Sequence, residues 1–200
     1  MSPSFHVSVS EIENYKNEIN ESTIFDCGQL NNCVALLTLK NGKQIIDRCN
    51  ITSNKVGTVS GYAMFATSDL FVKYTTVRSN NQLASEFLDP VALAWHYSSK
   101  NKSISVIACN YVENNDASDD GRLIGALSNL YVCHCCILNN AVKTTFYIES
   151  GSIVVSNSFT DNNSTSNSVE FISMIESSEC NYFFDEKIHD NCDIISSISI

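Results

Sequence analysis

The chain is short of the residues that usually punctuate a fold. Two prolines and seven glycines in 200 residues leave few ordinary turn signals, so bends must come from other residue types. Charge is sparse as well, at 17% of residues with a net charge of −10. The missing basic footprint argues against nucleic acid or anionic membrane as a partner. No apolar run approaches the roughly 18 to 20 residues that span a bilayer. The opening "MSPSFHVSVSEIENYKNEIN" lacks the basic and apolar regions of a secretory signal. The chain is therefore expected to be cytosolic or part of something longer. Nine cysteines are too few for a disulfide-stapled scaffold, and the odd count leaves at least one outside any internal pairing.

What the chain does have is a 44% hydrophobic content and abundant Asn, Ser and Thr, arranged as a repeat. Asn32, Asn54, Asn80, Asn114, Asn140 and Asn162 serve as anchors. Eight residues before each stands a β-branched aliphatic: Ile24, Ile46, Val72, Val106, Val132 and Val154. Five before stand Cys27, Cys49, Thr75, Cys109, Cys135 and Asn157. Three before stand Gln29, Ile51, Val77, Tyr111, Ile137 and Phe159, with Gln29 the misfit. By subtraction the anchors lie 22, 26, 34, 26 and 22 residues apart. A degenerate seventh copy, "ECNYFFDE", keeps Cys180 and Tyr182 and replaces the asparagine with Asp185. After each copy comes a second strand-like run, from "VALLTLKNG" and "YAMFATSD" to "TFYIESG" and "EFISMIES".

Few architectures bury a repeat of this length that carries short strands and no helix. The leucine pattern of leucine-rich repeats is missing, and the single Asn41-Gly42 hairpin signal is not repeated. The spacing predicts an all-β chain, a single-stranded parallel β-helix of about seven coils over residues 22–185. Residues 1–21 are expected to form an N-terminal cap, with "EIENYKNEIN" as a short amphipathic helix, and 186–200 a partial coil or tail. Equivalent residues of successive coils would stack about 4.8 Å apart. Cys27, Cys49, Cys109, Cys135 and Cys180 would form a reduced, inward column. Asn32, Asn54, Asn80, Asn114, Asn140 and Asn162 would take the left-handed corner conformation with their amides hydrogen-bonded along the column.

The pattern I-x-x-C-x-I-x-x-N in "IIDRCNITSN", "VIACNYVENN" and "VCHCCILNN" resembles the pectate-lyase-like right-handed β-helix. It is most similar to the Cys- and Asn-rich repeats of polymorphic outer-membrane-protein-like surface proteins of parasitic protists. The resemblance implies a right-handed coil. It also implies a surface role, because it speaks to fold more than to chemistry.

The chemistry is thin. Lyases and hydrolases on this fold would need recurring paired carboxylates, yet the outward position after the first column reads Asp47, Lys73 and Cys133. "DASDDG" gathers Asp116, Asp119 and Asp120 and reads as a solvated turn, with a hard-cation site as the alternative. Trp95 and His96 fall in the longest interval, where an insertion should bulge; Trp95 packing that insertion against the coil is the favoured reading, with a ligand surface as the alternative. Cys133 and Cys136 should face outward as an exposed thiol pair about His134. Among the Asn-x-Ser/Thr sequons at Asn20, Asn50, Asn101, Asn162 and Asn163, Asn50 should point outward. No catalytic constellation and no cofactor or metal site is expected. The expected role is a non-catalytic surface, adhesion or interaction module, a fragment of a larger surface protein that meets host surfaces or glycans. End-to-end self-association is expected as well, since solenoids without polar caps expose their edges. The alternative is a carbohydrate-active or degenerate polysaccharide-binding protein.

Overall fold

A computed structural model describes residues 5–8, 15–28, 35–82, 92–99, 102, 104–166, 168–177 and 180. Their strands form four separate sheets, parallel throughout. Sheet A holds Phe5–Ser8, Leu37–Lys40, Tyr62–Ala66, Ala94–Ser98, Arg122–Ala126 and Thr144–Ile148. Sheet B holds Lys16–Asn20, Lys43–Asp47, Leu70–Lys73, Ile104–Ile107, Leu130–Cys133, Ile153–Ser156 and Val169–Ile172. Sheet C holds Thr23–Phe25, Asn50–Thr52, Thr76–Arg78, Asn110–Val112, Cys136–Leu138 and Phe159–Thr160, and sheet D the short Lys55–Val56, Asn81–Gln82 and Asn115–Asp116. The chain visits them in the recurring order A, B, C, D, so each strand pairs with its counterpart one pass later.

Alternation drives these strands. In "KQIID" Gln44 and Ile46 are buried while Ile45 and Asp47 are half-buried on the other face, the period-2 signature of a strand. Successive passes then place Ile19, Ile46, Val72, Val106, Val132, Val155 and Phe171 in one column. Ile46 through Val155 are fully buried there, and each such side chain contributes roughly 1.5 to 3 kcal/mol. The column agrees with the sequence repeat in its four middle members and departs from it at both ends. Ile24 pairs with Ile51, and Ile19 takes the place opposite Ile46. The first copy is thus out of register by five residues, which is why Gln29 fitted nothing. Val155, not Val154, stands beside Val132, so the sixth copy slips by one. "EFISMIES" supplies the last strand of sheet B rather than another sheet A strand.

The expected helix in "EIENYKNEIN" is not formed over its second half. Lys16–Asn20 is a sheet B strand, with Asn17 buried and Ile19 half-buried between exposed Lys16, Glu18 and Asn20, a burial period of two rather than three or four. The repeating structure therefore starts earlier than residue 22. Residues 181–200, with Tyr182, Asp185 and the expected tail, lie outside the described residues, as does Asn32.

Two backbone bends recur along the passes, the first in all seven and the second in the first five, and both use positive φ at non-glycine residues. The first column comprises Glu21, Arg48, Tyr74, Ala108, His134, Asn157 and Ser173, with φ between 45° and 52°. The second comprises Asp26, Ser53, Ser79, Glu113 and Asn139, with φ between 49° and 58°. The left-handed residue is therefore the one before Asn54, Asn80, Asn114 and Asn140, not the asparagine itself. Asn54, Asn80, Asn114 and Asn140 are freed by this to use their side chains for bonding.

After the first bend a small donor turns back onto the carbonyl two residues earlier. The Cys49, Cys109 and Cys135 thiols donate to Asp47 O at 3.2 Å, Ile107 O at 3.2 Å and Cys133 O at 3.3 Å. Hydroxyls of Thr75 and Ser158 donate to Lys73 O at 2.9 Å and Ser156 O at 2.7 Å. Ser22 and Ser158, not Cys27 and Asn157, complete this column: the Cys135 N–H donates to Ser158 Oγ at 3.0 Å, and Ser22 Oγ donates to Asn20 O at 2.9 Å.

After the second bend the asparagines form a ladder. The Asn80 backbone N–H and Nδ2 both donate to Asn114 Oδ1, at 3.1 and 3.0 Å. Asn80 Nδ2 also donates to Ile51 O at 2.8 Å. Asn54 bonds Asn80 and Ile24 O, and Asn114 bonds Asn140 and Val77 O, in the same way. Asn140 Nδ2 donates to Tyr111 O at 2.8 Å. In the first pass the ladder position belongs to exposed Cys27, whose N–H donates to Asn54 Oδ1 at 2.9 Å. Asn162 is not on the ladder; its Oδ1 accepts from Ser164 N at 3.0 Å.

Candidate functional site

Trp95 and His96 sit on a regular sheet A strand, not on an insertion, and the alternation sends them to opposite faces. Residues 83–91, which carry the extra length of this pass, lie outside the described residues. His96 points into the core with no exposed surface. Its Nδ1–H donates to Gly125 O at 2.9 Å, leaving Nε2 to accept from the Tyr62 hydroxyl at 3.0 Å. Tyr62 must then accept from the Tyr111 hydroxyl at 2.5 Å. The three buried side chains form one directional relay from sheet C to sheet A. Burial disfavours the imidazolium and holds His96 at about 4, the bond to Gly125 opposing in part. Burial likewise pushes both tyrosines well up from 10.0. The relay is thus neutral and hydrogen-bonded at every atom, and it presents nothing to a ligand.

Trp95 lies on the outer face of sheet A but is only 7% exposed. Its ring lies over Gly125, where a Cβ would come within 2.6 Å of Trp95 Cε3, so this glycine is the seat of the indole. The ring stacks on Tyr147 at 6.4 Å and 30°, and the Arg122 guanidinium lies 3.6 Å over Tyr147. One column along, Phe65 and Tyr97 meet at 6.4 Å, with Lys40 Nζ 5.9 Å from the Phe65 ring. Phe65, Tyr97 and Tyr147 are half-buried. Trp95 and His96, where a ligand surface was expected, are thus buried, while the half-exposed rings on this face are those of Phe65, Tyr97 and Tyr147. Their signal was present in "YAMFA" and "AWHYS": once Tyr62 and His96 are known to face in, Phe65 and Tyr97 must face out.

The acidic cluster does not gather. Asp116 is buried, and its carboxylate accepts from Gln82 Nε2 at 2.9 Å, Ser118 N and Oγ at 3.1 and 2.6 Å, and Arg122 N at 3.3 Å. Asp120 pairs with Lys143 at 3.3 Å. Among the described residues no three His, Cys, Asp or Glu side chains group as a metal site. Gln82 also accepts from Ser60 N at 3.0 Å, so Asp116 ends a second polar column.

The cysteines divide. Cys49, Cys109 and Cys135 are buried thiols, and burial raises Cys49 and, well above 9.0, Cys135. Such thiols act as hydrogen-bond donors rather than nucleophiles. The outward pair departs from expectation: Cys133 and Cys136 are both buried, and Cys136 forms a disulfide with Cys180. Cys180 is therefore no member of the inward column. It closes a small cluster in which Leu138, Phe159 and Ile175 pack over the outside of sheet C.

No known protein family, curated protein or solved structure matches the chain. No helix of the described residues is long and apolar enough to cross a membrane.

Proposed function

We propose that the four sheets are the faces of one right-handed parallel β-helix of about seven coils, and that this helix is a non-catalytic surface or adhesion module of a larger protein. The recurring visit to A, B, C and D supports the coil, as do the residue columns and the asparagine ladder. Right-handedness follows the strong preference of parallel crossovers.

The observation that carries the function is the outer face of sheet A. There Phe65, Tyr97 and Tyr147 stand half-buried on rigid strands with Lys40 and Arg122 beside them. Fixed rings with few rotamers bind the apolar faces of sugars and side chains at low entropic cost. The polar side chains of the interior, His96, Asp116 and the corner thiols, are meanwhile taken up by structural hydrogen bonds. The same rings favour, as a second reading, a degenerate polysaccharide-binding protein derived from a carbohydrate-active fold. A glycan array probed with the whole chain and with the Phe65→Ala/Tyr97→Ala variant tests both. Binding that falls at least about tenfold in the variant, roughly 1.4 kcal/mol, is expected. Binding unchanged by the variant would remove the sheet A face from the reading, and release of cleaved oligosaccharide would overturn the non-catalytic role.

A further inference from the structure

The geometry points to Asn50 as an N-glycosylation site. Asn50 and Thr52 are the first and last residues of the strand Asn50–Thr52, and the alternation of a strand sends both to its outer face while Ile51 is fully buried. The acceptor amide and the hydroxyl that defines the sequon are thus presented together. Asn50 is exposed, and its column neighbours are the small Thr23 and Thr76. Among the described residues its side chain makes no hydrogen bond, whereas the Nδ2 groups of Asn54, Asn80 and Asn114 are committed twice over within the ladder.

Two of the other described sequons are encumbered. Asn20 is exposed, but its partner hydroxyl, Ser22 Oγ, is turned back onto Asn20 O at 2.9 Å. Asn162 is half-buried with its Oδ1 engaged by Ser164 N. Asn163 is exposed, and Asn101 lies outside the described residues.

A second, independent feature agrees on compartment. The Cys136–Cys180 disulfide belongs to an oxidising lumen or exterior, where sequons are also used. The donor is a lipid-diphosphate-linked oligosaccharide. The Asn50 Nδ2–C1 bond forms as the sugar C1–O bond to the diphosphate breaks. The diphosphate leaves with the electron pair, the amide proton passes to base, and nothing is oxidised or reduced. A glycan there stands on sheet C and leaves the aromatic face of sheet A bare. The inference rests on the surface reading only in placing the chain in a secretory lumen.

The test expresses the full chain behind a secretory leader in eukaryotic cells. Peptide mapping after enzymatic deglycosylation should find Asn50 converted to Asp. Asn50→Gln and Thr52→Ala should each lose one glycan mass, while Thr52→Ser keeps it. Mapping of the unsubstituted chain decides the matter even where a variant fails to fold. A chain whose Cys136–Cys180 bond shows that it reached the lumen, yet whose Asn50 is bare, overturns the inference and leaves the sheet A reading standing. A glycosylated chain that binds no surface or glycan does the reverse.

Discussion

At the first bend the side chains of Cys49, Thr75, Cys109, Cys135 and Ser158 bond their own backbone two residues back. At the second bend the amides of Asn54, Asn80 and Asn114 bond the passes on either side. Both bends use a left-handed residue, so the backbone problem is the same. The chemistry differs because the first bond needs only a short donor, which thiol and hydroxyl both provide. The second needs a donor and an acceptor on one short planar group, and asparagine alone has that reach. Sulfur adds one refinement at the first bend. Cys49, Cys109 and Cys135 also approach carbonyls of the preceding pass at 3.5 to 3.6 Å.

The comparison is broken most directly at the ladder. Asn114→Ala should leave Asn80 N–H and one of the two Nδ2 hydrogens of Asn80 without partners, the other staying on Ile51 O, and take one donor from Val77 O. At about 1 to 3 kcal/mol for each buried orphan, the loss is roughly 2 to 6 kcal/mol. Urea unfolding measures it, and a loss under about 1 kcal/mol would mean that water or a neighbour replaces the amide.

The relay through Tyr111, Tyr62 and His96 is another network between passes, and it can be tested with a proton. His96 titrates near its ordinary 6.5 when unfolded and at about 4 when folded. The unfolded chain therefore binds the proton first as pH falls. Stability from this group is complete above pH 6.5, declines between about 6.5 and 4, and levels off below. The span corresponds to on the order of 3 kcal/mol. Thermal unfolding followed against pH should show the decline, and His96→Gln should flatten it. Equal slopes in the two proteins would take His96 out of the account.

The smallest effect belongs to the first bend. Cys109→Ser should change stability by less than about 1 kcal/mol, and Cys109→Ala should cost about 1 to 2 kcal/mol through loss of the bond to Ile107 O. A serine as damaging as the ladder variant would dissolve the distinction between local and inter-pass bonding.

Much of this was legible in the sequence where a column has consistent chemistry. Ile46, Val72, Val106 and Val132, with Asn54, Asn80, Asn114 and Asn140, could be aligned because burial demands the same residue type each time. The ends could not. Ser22 and Cys27 hold the positions of Cys49 and Asn54 in the first pass, and matching cysteine to cysteine displaced the register by five residues. Serine, threonine and cysteine are equivalent donors at the first bend, so identity misled where function was kept. The outward aromatics were missed for another reason. They follow from which face of sheet A is inside, and that is fixed by partners far away in sequence. The Cys136–Cys180 bond joins positions 44 residues apart and falls outside any column.

One dimension of the molecule does not vary. From Gln44 to Asn54, Leu70 to Asn80, Ile104 to Asn114 and Leu130 to Asn140 the distance is ten residues each time, by subtraction between positions in register. Asn17 to Cys27 gives ten again. From the ladder to the aligned sheet A position the count runs 8, 14, 10 and 6, for Asn54 to Tyr62, Asn80 to Ala94, Asn114 to Ile124 and Asn140 to Phe146. The chain thus has a rigid spine and an elastic margin. The spine cannot gain or lose a residue without unthreading both bends, while the margin absorbs insertion one pass at a time. Such a body can diversify what it displays on either side of sheet A, where the spans to sheet B vary as well, and keep the run from sheet B to the ladder in step.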